Sequence, residues 1–516
     1  MYFCIVNVHK IRYKDTSCFS KLVENYTEKT IEKQLFNRYP DLSEFSEQIN
    51  EKSSQNIDRK LLHSVLLKQN ETLDLSDKSE RNIEKIKHKN TFTITTGHQL
   101  CTFTGPLYFI YKILSTINLT EKLQEFFPEK QFIPVFWMAS EDHDFLEVNH
   151  VNIYNNKYEW KTKETGMVGD FNTKEVNKLI DDIFSVLGRS EYSENLMERL
   201  RICYDNHSLS EATRFLVNEL FGKYGIVILD ANDKDLKKKL IPIIKEDVIN
   251  QSLFPILSQN TSENAKLYKT QANVREINFF KLSESNRTRI DENISELEIE
   301  QYPERFSPNV LIRPLYQELL LPNLAYIGGG AEISYWMQLK SLFKVQKIVF
   351  PVLVLRNSVM WIEETDYVKW TELGLEIKDI FQSEENLHKK FVLKQSSFNL
   401  QEEKSKMINI YESISEKVKD NSMKNSISSE SKKHLNSLQK LEKKLLKLEK
   451  EKYDISLRRI SKIKQKLFPN NILQERFDNL IPYYTKYGEK FIATLKAELD
   501  PLDTNFLILS PQTKLK

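Results

Sequence analysis

The sequence predicts an α/β protein, a largely parallel β-sheet covered by helices and followed by an α-helical coiled coil. Three observations carry that prediction. From Thr91 onward, short apolar runs alternate with helical stretches, the pattern of strands buried on both faces. One such unit, Thr91–Leu114, reads as strand, glycine-punctuated loop and helix. Beyond about residue 385, apolar residues recur at spacings of three and four in a charged background, which makes a heptad seam.

In chain order, residues 1–90 read as polar and helical, with amphipathic pieces at Phe19–Tyr26 and Leu61–Leu67. Phe92-Thr93-Ile94-Thr95 is β-branched and alternating, as a strand requires, and Gly97 is expected to break it. Gly105-Pro106 ends the next loop. Pro106 is placed to open a helix carrying Leu107, Ile110, Tyr111 and Leu114 at helical spacing. Further buried strands are expected at Phe132–Ala139, Tyr224–Asp230, Val310–Pro314, Leu324–Ile327 and Ile348–Leu355. Tyr154–Lys178 reads as an antiparallel excursion and Ser258–Arg305 as a polar, irregular insertion. Met407, Tyr411, Ile414 and Val418 begin the heptad seam, and the Ser/Asn-rich interval Lys419–Ser431 is expected to be a turn. Leu438, Leu441, Leu445 and Leu448 continue the rhythm in a helix expected from about Ser431 to Leu467, stopped by Pro469. Two such helices make an antiparallel hairpin whose Lys/Glu density is a solvated face. The expected domains are 1–384, a core with a helical N-terminal part and insertions, and 385–516, the hairpin plus a tail packing back on the core.

Composition narrows the function classes. The chain has 516 residues, 40% of them hydrophobic and 11% aromatic, enough for a large core. Lys and Arg number 75 against 73 Asp and Glu, a balance that argues against nucleic acid as the main partner. Cys4, Cys18, Cys101 and Cys203 are widely spaced and form no metal-ligand pattern, so free thiols in a reducing, cytoplasmic setting are expected. No apolar run approaches the roughly 18 residues of a membrane span, and the apolar start is too short for a signal peptide. No membrane partner is expected.

Three strand ends collect the polar groups that could do chemistry. The first holds Gly97, His98 and Gln99, then Gly105, Pro106 and Tyr108 where the helix starts. In open α/β sheets ligands sit at such places, and a helix N-terminus favours phosphate or carboxylate. The second is PVFWMASEDHDFLEVNH, where Glu141, Asp142, His143 and Asp144 follow a buried strand without a gap and Asn149 lies just beyond. Burying such charges costs several kcal/mol unless they are paired, so a ligand role is favoured there. The carboxylates could hold an amine or ribose hydroxyls, and His143 could move a proton near neutral pH. A metal shared with His150 is not expected, because no HxxxH or HExxH spacing occurs. Helix capping by Asp142 or Asp144 is the structural alternative. The third site has Arg313 and Gln317 around a proline turn after one strand. A second strand then runs into Gly328-Gly329-Gly330, and a helix follows with Glu332, Tyr335 and Trp336. Three glycines admit a ligand close to the backbone and leave N–H groups for an anion, although neither GxGxxG nor a P-loop is present. Trp336 and Tyr335 could equally be core. Cys101 is a candidate nucleophile, but a lone cysteine in such a loop is more often inert.

TTGHQLCTFTGPLYFIYK, PVFWMASEDHDFLEVNH, RPLYQELLLPNLAYIGGGAEISYW and LQERFDNLIPYYTKYGEKFI resemble four blocks of the bacillithiol biosynthesis cysteine-adding enzyme family. Order and spacing agree from Phe19 onward. The departures are Leu100-Cys101, where the family often has a small residue or glycine, and the residues before about Arg12, which do not fit. The resemblance implies a Rossmann-like core akin to class I nucleotidyltransferases and synthetases, with connecting-peptide insertions and a coiled coil used for homodimerisation. It implies the last step of bacillithiol biosynthesis, in which cysteine joins glucosaminyl-malate through an amide. Amide formation from a free carboxylate needs activation, so ATP/ADP is expected as co-substrate, with no tightly bound cofactor. On that resemblance Gly97, His98, Gln99 and the Pro106 helix start receive nucleotide phosphates or the activated carboxylate, and Gly328–Gly330 approach the same ligand. Glu141, Asp142 and Asp144 hold the ammonium of cysteine or glucosamine, His143 shuttles the proton, and Arg313 pairs with a malate or cysteine carboxylate. The competing expectations are a metal-dependent hydrolase or transferase built on the Glu141–His150 cluster, and a non-catalytic coiled-coil scaffold.

Overall fold

A computed structural model describes residues 5–205, 207–283, 286–291, 293–395 and 400–512. Its strands are β1 (Ile5–Arg12), β2 (Thr91–Gln99), β3 (Gln131–Ala139), β4 (His150–Ile153), β5 (Asn156–Glu159), β6 (Val227–Asp230) and β7 (Phe279–Leu282). They continue with β8 (Arg287–Arg289), β9 (Phe306–Pro308), β10 (Asn323–Gly328), β11 (Val352–Leu355), β12 (Val359–Trp361) and β13 (Asn505–Gln512).

Five of them form a parallel sheet in the order β11-β10-β2-β3-β6. β2 and β3 pair along their whole length, from Thr91 opposite Gln131 to Gln99 opposite Ala139. Gly97 lies inside this ladder opposite Trp137, so it does not break the strand as its sequence context suggested. On β3, Ile133, Val135 and Trp137 enter one core and Phe136 and Met138 the other. Both faces are therefore covered, which explains the continuous apolar runs. Helix α1 (Tyr108–Phe126) follows β2 and buries residues all round, among them Ile110, Tyr111, Ile113, Leu114 and Ile117. Each large side chain buried in this way contributes roughly 1.5–3 kcal/mol relative to exposure. β3 and β6 lie to one side of β2, β10 and β11 to the other. The winding direction thus reverses between β2 and β10, the crevice where ligands bind in this architecture.

Val310–Pro314 is not a strand. Asn309 Oδ1 accepts from the N–H groups of Leu311 and Ile312 at 2.9 and 3.1 Å, a local turn that competes with a ladder. Pro314 then sits in the first turn of helix α2 (Arg313–Leu320). Only Val352–Leu355 of the expected Ile348–Leu355 strand is paired, because Pro351 has no N–H to give. Helix α3 (Gly330–Met337) follows β10. The antiparallel excursion is the β4–β5 hairpin, which starts at His150 and ends at Glu159. The insertion forms a small antiparallel sheet, β8-β7-β9.

In the C-terminal part, α4 (Gln401–Glu416) packs on α5 (Asn421–Lys452) as an antiparallel hairpin, with Lys404 bonded to Glu442 and Tyr411 to His434. The turn is shorter than expected and the Ser/Asn-rich interval is mostly helix, because Asp420 Oδ1 caps α5 by accepting from Met423 N at 2.8 Å. The long helix ends at Lys452 instead of running to Leu467. A separate helix, α6 (Asp454–Leu467), buries Leu457, Ile460, Ile463 and Leu467 beside Phe506 and Ile508 of β13. β13 pairs antiparallel with β1 and parallel with β12, joining the two ends of the chain. Among the described residues no helix is long and apolar enough to cross a membrane.

Candidate functional site

A cleft of about 680 Å³ opens at the carboxyl ends of β2, β3 and β10, where the winding reverses. Its size falls in the range of small-molecule sites. Gly97, His98, Gln99, Tyr108, Glu141 and Asp142 line one side. Arg313, Gly329, Gly330, Glu332 and Tyr335 line the other. The three strand ends singled out in the sequence therefore converge on one cavity.

At the floor, the Arg313 guanidinium lies 5.8 Å from the Trp137 ring and 5.4 Å from that of Tyr326. Its Nη1 donates to Gln317 Oε1 at 3.0 Å, while its Nη2 is buried without a hydrogen-bond partner among the described residues. Such an unmet donor needs an explanation, and a ligand anion supplies one. Gly97 lies beside this group, a methyl group there falling at ordinary contact distance, 3.6 Å, from Arg313 Nη1.

His98 Nδ1 stands 2.9 Å from the Gln99 carbonyl, which only accepts, so the ring proton sits on Nδ1 and Nε2 keeps its lone pair. Burial, reinforced by the nearby Lys112 charge, pulls its pKa down to about 4. The ring is neutral at pH 7. Lys112, on α1, is buried and donates to Gly97 O at 2.5 Å and to Glu332 at 2.8 Å. Glu332 also accepts from Tyr326 Oη at 2.5 Å and from Gly329 N at 2.8 Å. Burial works against its charge, yet Lys112 and these two donors hold the carboxyl below its ordinary value. The glycine turn is consequently less open to an anion than the sequence suggested. Glu332 takes the Gly329 N–H, and Gly330 is small because a methyl group there would lie 2.5 Å from Val23 Cγ2.

On β3's end, Glu141 is committed to a salt bridge with Lys237 and accepts from Ser307 Oγ at 3.2 Å. Asp142 differs. Its Oδ2 accepts from Gln99 Nε2 at 2.7 Å and its Oδ1 from the His143 backbone N–H at 2.8 Å, and it has no lysine or arginine ion pair among the described residues. It is the cleft carboxylate that remains available to an amine.

Other expected residues lie outside the cleft lining. His143 and Asp144 are exposed. His143 Nδ1 is 3.4 Å from Arg287 Nη1, a group that only donates, and the Asp144 side chain caps nothing. Asn149 is buried and holds the β4–β5 hairpin by donating to Trp160 O. Gly105 adopts φ 62°, and a methyl group there would lie 2.6 Å from Cys101 Cβ, so it serves loop packing. Pro106 forms a bridge with Asn479. Gln317 is buried behind Arg313, Gly328 sits in the β10 ladder, and Trp336 stacks on Tyr326 in the core at 4.6 Å. The Cys101 thiol is pushed up to about 12 by burial and stays protonated. Among the described residues no three His, Cys, Asp or Glu side chains gather as a metal site.

The structure adds cations that sequence reasoning missed. Arg356, just after β11, makes two bonds to buried Glu475 at 3.0 and 2.7 Å and lies 5.1 Å from the Tyr108 ring. A charge at the end of an apolar strand is the same signal that singled out Glu141, and it was legible here too. Lys112 could have been found as a cation set among the apolar residues Tyr111, Ile113 and Leu114. Arg275, Arg287 and Arg289 lie in the irregular insertion and Arg476 in the C-terminal block, where no periodicity marked them. Lys112 and Arg356 are neutralised by Glu332 and Glu475. Arg275, Arg287, Arg289, Arg313 and Arg476 have no ion pair among the described residues, so the cleft is set for a multiply charged anion.

Residues 6–357 match the family profile described as Bacillithiol biosynthesis BshC, N-terminal Rossmann-like domain. Residues 359–511 match its C-terminal coiled-coil domain. A protein of Flavobacterium johnsoniae named "Putative cysteine ligase BshC" is 41% identical, covering 97% of this chain and 99% of its own. Relatives with the same name from Christiangramia forsetii and Staphylococcus haemolyticus are 40% and 30% identical, covering 83% and 76% of this chain and 84% and 80% of their own.

Proposed function

The chain belongs to the bacillithiol biosynthesis BshC family, and from that premise we propose that it is a ligase joining cysteine to glucosaminyl-malate. The reaction forms an amide and is driven by ATP. The observation that carries this reading is the cleft at the winding reversal, with unpaired arginines around a neutral histidine and one available carboxylate. The ligands it would gather are a nucleotide, an amino acid and an amino sugar bearing two carboxylates, in which anionic groups outnumber the two amines. The curated relatives' names point the same way.

In this mechanism the cysteine carboxylate first attacks ATP, taking the γ-phosphoryl group with release of ADP or the adenylyl group with release of pyrophosphate, which turns a poor leaving oxygen into a good one. The sugar amine then attacks the acyl carbon, loses a proton, and phosphate or AMP departs. Arg313 orients the carboxylate through its unmet Nη2. Gly97–Gln99 lie against the nucleotide, while the Gly329 N–H stays with Glu332. Asp142, held by Gln99, positions the amine and accepts its proton, a role that its place in the cleft favours over exposed His143. The hairpin carries outward-facing Ile410, Ile414, Met423, Leu441 and Leu448, which supports homodimerisation through it.

Incubating the purified protein with cysteine, glucosaminyl-malate and ATP, and following the ligated thiol by mass spectrometry, tests the reading. Product that depends on ATP is expected. A folded protein that makes none with any nucleotide overturns it.

A further inference from the structure

The insertion between β6 and β10 brings Arg275, Arg287 and Arg289 to the cleft. Arg287 and Arg289 are two apart on β8 and share a face, and Arg289 is registered opposite Phe280 of β7. Both guanidinium groups lie on that ring, at 4.0 and 5.5 Å from its centre. Arg287 is built in. Its Nε donates to Ser307 Oγ at 3.1 Å and its Nη2 to Pro308 O at 3.1 Å, which fixes the plane of the fork. Ser307 Oγ in turn donates to Glu141, whose charge is already answered by Lys237. Arg287 and Arg289 crowd one ring, Arg275 lines the same cleft, and none of the three has a carboxylate ion pair among the described residues, so their charge calls for an anion. Burial lowers the Arg287 pKa, and the charges of Glu141 and Asp142 only partly offset it.

We propose that Arg275, Arg287 and Arg289 form a second anion subsite, which takes the two-carboxylate end of the acceptor substrate. The assignment rests on the ligase reading above, in which that end is the malyl group. Planar guanidinium forks over an aromatic ring match carboxylates in pairs. The glycines of this cleft lie apart from the cluster, at the end of β2 and in the turn after β10. Arg313 and the insertion arginines thus divide the work, one cation for the amino acid and a cluster for the acceptor.

Calorimetric titration of the full-length protein with free L-malate, and separately with ADP, tests the subsite without turnover. Arg289→Gln and Arg275→Gln alter exposed side chains and keep the test open if Arg287→Gln does not fold. Malate affinity is expected to fall about tenfold or more in Arg289→Gln and Arg275→Gln, and in Arg287→Gln where it folds, while ADP affinity changes less than about twofold. Unchanged malate affinity in the folded variants overturns the proposal, as does no malate binding by the parent protein at roughly 10 mM. An equal loss of ADP affinity overturns it too, and moves the cluster to nucleotide phosphates. Parent protein that binds malate through these arginines yet makes no ligated product leaves the subsite standing and sinks the ligase reading. Product formation with an unaltered KM for glucosaminyl-malate in Arg289→Gln does the reverse.

Discussion

His98 shows how far an environment moves one side chain. The residue type suggests a proton carrier near pH 7, but the aromatic rings of Tyr108 and Phe109 at 5.4 and 5.1 Å and the Lys112 charge keep it neutral. A folded pKa of about 4 lies below the ordinary value of 6.5. Between those values the unfolded chain binds a proton that the folded chain does not. The neutral ring's contribution is therefore whole above pH 6.5 and is lost as pH falls toward 4. Denaturant unfolding of the parent and His98→Gln at pH 7 and pH 5 checks this. The parent should lose stability relative to the variant at up to about 1.4 kcal/mol per pH unit across that window. Equal pH slopes would sink the assignment. His98 was legible in the sequence as a polar residue at a strand end, whereas its charge state was not, because the groups that set it come from the following helix and from across the sheet.

Among elements, the contact between α1 and α3 organises the cleft. Lys112 on the first and Glu332 on the second neutralise each other while fixing the Gly97 carbonyl and the Gly329 N–H. Removing one partner leaves the other uncompensated. Lys112→Met should cost about 3 kcal/mol in chemical denaturation, and adding Glu332→Gln should restore much of it. If the two losses simply add, the pair is not coupled as described. The strands at the cleft were legible from apolar runs with polar ends. Val310–Pro314 failed because a side-chain turn at Asn309 and a proline at a helix start outweigh a short apolar pattern, which is ambiguous between strand and buried helix. The Ser/Asn-rich interval failed for the opposite reason. Asp420 caps a helix whose later turns carry the seam, and weak helix formers ride along on its exposed face.

At the scale of the whole molecule, the C-terminal part does two jobs. Near the core, Glu475 fixes Arg356 in the cleft wall and β13 closes a sheet with β1. Further out, the hairpin is largely solvated, and Lys404 meets Glu442 where it leaves the body. Replacing residues 405–441 with a short glycine–serine linker should leave the unfolding midpoint of the core and ADP binding within about twofold of the parent. In light scattering the same variant should shift from dimer to monomer. A variant that remains dimeric places the contact elsewhere.

By itself the sequence determined the α/β class, the parallel strands that reach the cleft, the coiled coil, and the strand ends on which polar groups collect. All of these follow from local periodicity and from the cost of burying charge. Only the tertiary structure decided which of those groups share a cavity. It brought in Lys112, Arg356 and the insertion arginines, turned Glu332 inward as a cap, and left His143 and Asp144 outside. The reason is distance along the chain, since Lys112 and Glu332 are 220 residues apart, and Arg356 and Glu475 are 119 apart. No window on the sequence can tell that either charge has found its partner.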